Sequence, residues 1–340
     1  MNTLSVNLGE RSYKIYIGKG ILLDAEKVFD LEKKVFILTD RGVPKQYAEA
    51  VCGRAKQGMI FTVNEGEGSK SMTTLEAVLK AMLKFGMTRG DALVAVGGGV
   101  AGDLGGFAAA TYMRGIDFYQ VPTTVLAQVD SSIGGKCAVN LGGTKNVVGA
   151  FYQPKAVLID TGTLDTLPRR LISAGLAESV KMALTSDREL FSIFENEDNI
   201  EYNIESIIIR SLMIKKRIVE ADEKENGLRK ILNFGHTLGH GIEAQMGMNG
   251  LYHGECVALG MLPVCSDDVR NRLEKVLEKL SLPVVCQCDI QEALEFVAHD
   301  KKRRGGMVDI ILVNEIGECT IQSVTMDDFK KRVKERMRTI

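Results

Sequence analysis

Three of the four histidines in this 340-residue chain, His236, His240 and His253, fall within 18 residues. In Asn233-Phe-Gly-His236-Thr-Leu-Gly-His240-Gly-Ile-Glu243 the first two stand four apart and share one helix face. His253-Gly254-Glu255 adds a further imidazole nearby. Glu178, in Gly175-Leu-Ala-Glu178-Ser-Val-Lys181, lies on a helix whose other positions are apolar or small. A charge there is costly unless paired or bound to a metal. Two imidazoles, one carboxylate and an open fourth position are the ligand set of a catalytic Zn2+. Each histidine alone reads equally well as a hydrogen-bonded structural imidazole; the cluster with Glu178 favours a metal. Spacing leaves open which two histidines bind. Thr237 stands where a zinc protease carries its general-base Glu, which disfavours peptide hydrolysis.

Cations form a second set. Lys136 ends Asp130-Ser-Ser-Ile-Gly-Gly-Lys136, and Lys145 precedes Asn146 after a glycine turn. Arg114, Lys181, Lys215 and Arg229 each lie within or beside an apolar or glycine-rich stretch. Singly, each reads as a solvated charge. Together they point to an anionic substrate bearing phosphate and carboxylate groups. Gly97, Gly99 and Gly102, after the apolar run Ala92–Val96, fit G-x-G-x-x-G, whose glycines and free N–H groups admit a pyrophosphate at a helix start. The run falls on a late strand, and no acid follows about 20 residues on to grip a ribose. Close helix packing through Gly105 and Gly106 is the competing explanation.

The elements that must position these residues divide in two. Ser12–Ile17, Val35–Thr39, Met59–Val63 and Ala92–Val96 read as strands, alternating with helical stretches at Gln46–Lys56 and Ser71–Lys84. That order implies a mostly parallel α/β sheet. Beyond residue 165, Pro168 opens a helix, and Ile204–Glu220, Asn233–Gln245, Cys256–Leu262, Val269–Leu280 and Ile290–His299 continue as helices. Only Val308–Val313 and Thr320–Val324 read as strands there. We therefore expect an α/β domain over 1–165 and a mainly helical one over 166–340, with chemistry at their seam.

Composition is that of a globular protein: 45% hydrophobic, 26% charged, 43 Lys+Arg against 44 Asp+Glu. This balance gives no reason to expect nucleic-acid or polybasic membrane binding. No signal-peptide pattern or membrane-length apolar run is present. Seven scattered cysteines, with Cys286-x-Cys288 the tightest spacing, read as reduced cytoplasmic thiols.

The motifs Tyr112-Met-Arg-Gly-Ile-Asp-Phe-Tyr-Gln-Val-Pro122, Thr123–Lys136, Gly149-Ala-Phe-Tyr-Gln-Pro154, Leu176–Lys181, Leu232–His240 and His253-Gly-Glu255, in this order, resemble those of the 3-dehydroquinate synthase family. The resemblance spans nearly the whole chain and is densest from 91 to 262. It implies a Rossmann-like NAD-binding domain followed by a helical metal-binding domain. It also implies NAD+, a divalent metal (usually Zn2+, with Co2+ as an alternative) and a homodimer. The implied reaction turns 3-deoxy-arabino-heptulosonate 7-phosphate into 3-dehydroquinate and phosphate, the second step of the shikimate pathway.

Carried onto matching positions, the resemblance makes Glu178, His236 and His253 the metal ligands. It frees His240 for proton transfer, with Glu225 a further candidate from its Glu-x-Gly-Leu-Arg match. Arg114, Asp130, Lys136, Asn146, Lys181, Lys215, Arg229 and Asn233 would hold the substrate, and Lys301 or Lys302 would close over its phosphate. For NAD it implies Asp40, Glu65, Gly66, Glu67, Gly68, Ser69 and Lys70. Gly99, Val100, Ala101, Gly102, Asp103, Thr123, Thr124, Lys136 and Lys145 follow, with Thr163, Leu164, Asp165 and Thr166. The segment Leu262–Ser281 is shorter than the family pattern leads us to expect, which implies a trimmed peripheral helix. The rival readings are another sugar-phosphate cyclase and a metal-dependent polyol dehydrogenase. The dehydrogenase has no use for so many cations.

Overall fold

The structure, a computed structural model, describes residues 1–197, 200–247, 250–302 and 307–339, without the side chains of 299–302. It divides into two compact units, Met1–Leu167 and Pro168–Ile340. Among the described residues no helix is long and apolar enough to cross a membrane.

The first unit is an α/β layer structure. Its strands are β1 (Asn2–Val6), β2 (Tyr13–Gly18), β3 (Lys34–Asp40), β4 (Gln57–Val63), β5 (Ala92–Gly97), β6 (Asp117–Pro122), and, after a separate hairpin of β7 (Lys136–Leu141) and β8 (Thr144–Phe151), β9 (Ala156–Asp160). Seven of them form one sheet in the order β1-β2-β9-β6-β5-β3-β4, parallel except for β1. Successive strand residues face opposite sides, and both sides are covered. Val35 and Ile37 pack with Val94, Tyr119 and the helix α1 (Lys45–Cys52). Phe36 and Leu38 pack with Leu93 and with the helices α2 (Met72–Lys84) and α3 (Gly99–Thr111). Burial on both faces explains why β3 and β5 read as continuous apolar runs.

From β3 the chain crosses to β4 on one side, and from β5 it crosses to β6 on the other. The strand order therefore reverses between β3 and β5. In open parallel sheets, ligands bind beyond the carboxyl ends of the strands at such a reversal. The glycine turn at Gly97–Gly99 follows β5 directly. Its late position in the chain is thus no handicap, because sheet order decides which turn lies at the reversal.

The second unit is mainly helical. Its helices are α4 (Arg169–Ser186), α5 (Arg188–Asn196), α6 (Ile204–Ala221), α7 (His236–Met246), α8 (His253–Met261), α9 (Asp267–Lys279), α10 (Ile290–Lys302) and α11 (Met326–Arg336). One antiparallel pair, β10 (Met307–Glu315) and β11 (Glu318–Thr325), accompanies them. Every residue of α4 from Ala174 to Thr185 is buried. The helix expected from Asn233 begins instead at His236, because Leu228–Asn233 is a 3-10 segment and Gly235 is left-handed (φ 77). Likewise α8 starts at His253, three residues before the expected Cys256. Two of the three clustered imidazoles therefore stand on the first residue of a helix.

One expectation is corrected. Cys286 and Cys288 are joined as a disulfide, while Cys52, Cys137, Cys256, Cys265 and Cys319 form none. The chain bends between the two, with Cys286 N–H bonded to Arg338 O, and their Cα atoms come within 5.4 Å, inside disulfide range. A two-residue spacing without a C-x-x-C pattern gave no sign of this bend.

The helices around the histidines meet through glycine. A Cβ on Gly254 would lie 1.8 Å from Ala174 O of α4, and one on Gly260 would lie 1.9 Å from Gly235 O. Both contacts are with backbone, which cannot step aside. Gly254→Ala should therefore force α8 away from α4 and cost at least about 3 kcal/mol, the upper range for overpacking. Urea denaturation against the parent chain measures this.

Candidate active site

In the helical unit the site is built outward from Glu178. Its side chain is fully buried on α4, with Lys181 one turn further along, also buried and in ion-pair contact with Oε2. Beyond that ion pair, neither Glu178 carboxylate oxygen has a hydrogen-bond partner among the described residues. His236 Nε2 lies 3.7 Å and His253 Nε2 3.6 Å from Glu178 Oε1. Donors about 2.1 Å from a tetrahedral ion stand about 3.4 Å apart. Two imidazole nitrogens and an unsatisfied carboxylate at this separation fit a divalent metal, and three protein donors is the number a catalytic zinc site uses.

Electrostatics favour the same set. Burial alone would raise the Glu178 carboxyl, but the Lys181 ammonium and the two imidazoles hold it well below the usual carboxylate range. Burial, with the Lys181 charge, pushes His236 down to about 3, so the ring is neutral with its lone pair available. For His253, burial opposes protonation, but contacts with Glu178 and Glu243 outweigh it and raise the ring to about 9. Both ring nitrogens of His253 thus face carboxylates, a setting that favours positive charge there.

His240 is exposed on α7, its ring centroid 5.2 Å from that of His236 and 5.8 Å from that of His253. The i, i+4 pair thus contributes one imidazole to the Glu178 cluster and a second, more accessible one beside it. Asn233 Nδ2 donates to Glu225 Oε1 at 2.7 Å, and Glu225 has a left-handed backbone (φ 62). Arg229 and Lys215 are buried. On α6, Ser211 Oγ donates to Ser179 Oγ of α4 at 3.0 Å, and Lys215 follows one turn later on the same face. Lys301 and Lys302 lie outside the residues whose side chains are described.

Two features escaped the sequence reading. Glu255 accepts from Arg170 Nε (2.7 Å) and Nη2 (2.8 Å) and from Tyr252 N–H (2.7 Å), which clamps the start of α8 to the first turn of α4. Glu255 three residues past Tyr252 was the available signal, since an acid there commonly caps a helix start. Glu243 Oε2 lies 3.3 Å from His253 Nδ1. Its only signal was helical spacing from His236 and His240.

In the α/β unit the expected cofactor residues lie largely around the strand reversal. Asp40 ends β3, where its Oδ1 accepts from Gly42 N–H at 2.8 Å. Burial and the nearby Glu65 charge raise its carboxyl, against the lowering effect of that hydrogen bond. A Cβ on Gly97 (φ 157) would meet Ala101 at 2.8 Å and Asp40 Oδ2 at 3.4 Å. An acid thus does stand beside the glycine turn, on the strand paired with β5 rather than downstream. Gly99, Val100, Ala101, Gly102 and Asp103 form the first turns of α3.

Lys70, buried, donates to Asp103 Oδ2 (2.7 Å) and Asn146 Oδ1 (2.5 Å). Glu67 accepts from Asn140, whose Oδ1 takes the Asn146 N–H, each at 2.8 Å. The Glu65–Lys70 segment, the start of α3 and the hairpin are therefore bound together. Thr123 N–H donates to Gly97 O, and Thr124 Oγ1 accepts from Ala127 N–H. Thr163 hydrogen-bonds Gln128, Thr166 shares a hydrogen bond with Tyr47, Leu164 is buried, and Asp165 pairs with exposed Lys19. Arg114, Lys136 and Lys145 are exposed, and Asp130 lies in the π-helical turn Ala127–Ser131, a form frequent at functional sites.

The architecture is that of the sugar-phosphate cyclases. The chain superposes on 2-deoxy-scyllo-inosose synthase complexed with carbaglucose-6-phosphate, NAD+ and Co2+ with a TM-score of 0.90 at 27% identity, covering 99% of this chain and 100% of that one. The 2-epi-5-epi-valiolone synthase from Streptomyces hygroscopicus, with NAD+ and Zn2+ bound, gives 0.87 at 27% identity, covering 97% and 98%. Residues 60–174 match the 3-dehydroquinate synthase N-terminal family and 175–303 the C-terminal family. A 3-dehydroquinate synthase from Clostridium beijerinckii is 41% identical over 350 aligned positions, covering 97% of this chain and 100% of that protein. The chain belongs to the 3-dehydroquinate synthase family.

Removing the Lys181 charge tests the electrostatics. Lys181→Met leaves Glu178 buried without its ammonium, and breaking such a pair costs about 3–5 kcal/mol. Urea unfolding of metal-free protein should show that loss, and added Zn2+ should restore part of it by binding the folded state. An unchanged midpoint would contradict the pairing.

Proposed function

We propose that this protein converts 3-deoxy-D-arabino-heptulosonate 7-phosphate into 3-dehydroquinate and phosphate, with NAD+ reduced and reoxidised within each turnover. Residues 1–165 serve as the NAD-binding domain, and 166–340 hold the metal and substrate. The observation that carries this reading is the unsatisfied Glu178 carboxylate facing His236 and His253, in a chain whose full-length relatives bear that name. The same donor set suits Zn2+ or Co2+.

Glu178, His236 and His253 would hold the metal, which when bound supplies a Lewis acid at a substrate oxygen. Asp40 and the start of α3 at Gly99–Asp103, with its free backbone N–H groups, would hold NAD+, which when bound supplies the hydride acceptor. The remaining work falls to the chain itself. Lys181, Lys215, Arg229 and Asn233 of the helical unit bind the substrate, and the resemblance gives Arg114, Asp130, Lys136 and Asn146 the same role. Cations suit a ligand bearing both carboxylate and phosphate. Oxidation of a substrate alcohol acidifies the neighbouring C–H, and phosphate then leaves by β-elimination. His240, accessible beside the cluster, moves the protons, while Glu225 orients Asn233. Return of the hydride, ring opening and aldol closure complete the product. We read the enzyme as a cytoplasmic homodimer.

Phosphate release from the named substrate, with Zn2+ and trace NAD+, tests the activity. Phosphate in large excess over NAD+, abolished by chelator and without lasting NADH, is expected. NADH accumulating with a polyol, and no phosphate, would make the protein a dehydrogenase instead. Glu178→Ala and His253→Ala should each abolish turnover together with bound metal, read by elemental analysis. Lys136→Ala should impair substrate use while NAD+ binding partly survives, as titration of each ligand would reveal.

A further inference from the structure

Glu243 belongs to no group so far assigned a task. It lies on α7, seven residues after His236 and three after His240, on the face those imidazoles share. Its Oε2 stands 3.3 Å from Nδ1 of His253, while Nε2 of the same ring points to Glu178 Oε1 at 3.6 Å. The two nitrogens of one imidazole are thus each directed at a different carboxylate.

We propose that Glu243 is the positioning residue for His253: it holds the ring's proton on Nδ1 and so presents the Nε2 lone pair to a divalent cation. An ionised carboxylate can only accept a hydrogen bond. Facing Nδ1, it selects the tautomer that donates there, and a neutral imidazole then has its acceptor at Nε2. His236 is arranged the same way, its Nδ1 3.1 Å from Phe234 O, a backbone carbonyl that can likewise only accept. The two rings therefore follow one design with different partners, a neutral carbonyl for His236 and a charged side chain for His253. The charged partner also makes its ring the more basic donor. The partner of His253 lies ten residues away on another helix, whereas His236 is held by a carbonyl only two residues away.

His240, Glu243 and His253 also lie close enough to form a second metal-binding trio. Filling both trios at once would give His253 a cation on each nitrogen, which requires its last ring proton to be lost. Hydrogen bonding from Nδ1 to Glu243 needs no such step.

This inference rests on the metal reading above, and the test separates the two. Competition with a chromophoric chelator measures Zn2+ affinity in the parent chain, Glu243→Gln and Glu243→Ala, and visible absorption of the Co2+-loaded forms reports ligand geometry. Loss of a partner of this kind typically weakens binding about 10- to 100-fold. We expect that range for Glu243→Ala. Glu243→Gln, whose amide oxygen still accepts from Nδ1, should fall less, so the near-isosteric variant rescues part of the loss. The Co2+ bands should shift in both. Parent-like affinity and Co2+ spectra in both variants would overturn the inference while leaving the metal site standing. Two ions per parent chain, reduced to one by Glu243→Ala, would overturn it in favour of the second trio. A parent chain that binds neither ion would overturn the metal reading itself, and this inference with it.

Discussion

A carboxylate taken wholly out of water must have positive charge within contact distance, and in the helical unit this requirement falls on Glu178. Lys181 meets it in part, one turn along the same buried helix. Two imidazole nitrogens on two other helix starts face the remaining lone pairs at 3.6 and 3.7 Å. Hydrophobic packing alone would exclude such a charge from α4. Its presence among alanines, valines and leucines explains why the surrounding elements converge where they do. It is also why the site reads as a cation site and not as a loose group of surface histidines.

That convergence depends on residues with no side chain at all. Gly254 lets α8 touch the backbone of α4, and Gly260 and Gly235 let α8 and α7 meet, so that His236 and His253 reach the same carboxylate. The Arg170–Glu255 clamp then sets where α8 begins. Glu243 completes the restraint by holding the outer edge of His253. Helix position, helix start and ring orientation are thus controlled by three separate contacts. Each uses a different kind of interaction: steric fit, a bidentate ion pair and a directed hydrogen bond.

The α/β unit brings the glycine turn and the buried Asp40 carboxyl side by side. It does so at the point where strand order reverses, between β3 and β5. Lys70 illustrates the cost of assembling this edge from distant segments. It is buried and joins the Glu65–Lys70 segment to Asp103 and Asn146, so three pieces of chain share one ammonium. Within this unit Lys70 therefore serves as a structural tie, and its ammonium is already committed to Asp103 and Asn146.

Local pattern alone determined the class of each half, most of its elements and the identity of the chemical groups. Strand alternation, helical spacing and the scarcity of histidine are properties of short windows, and they pointed to an α/β domain, a helical domain and a metal cluster. Family resemblance then narrowed the open choice among three histidines. Only tertiary structure decided the rest. Asp40, which the resemblance had named, reaches the glycine turn from a strand more than fifty residues earlier, because sheet neighbours are chosen by crossover and not by sequence distance. The bend that joins Cys286 to Cys288 left no pattern in composition. The starts of α7 and α8 moved by three residues, through a left-handed Gly235 and a capped Tyr252, and that shift set which face each imidazole presents. Helical spacing put Glu243 on the face of His236 and His240 but not against His253: its partner is on another helix, and whether a carboxylate reaches Nδ1 or Nε2 of a ring depends on packing that no window of sequence contains.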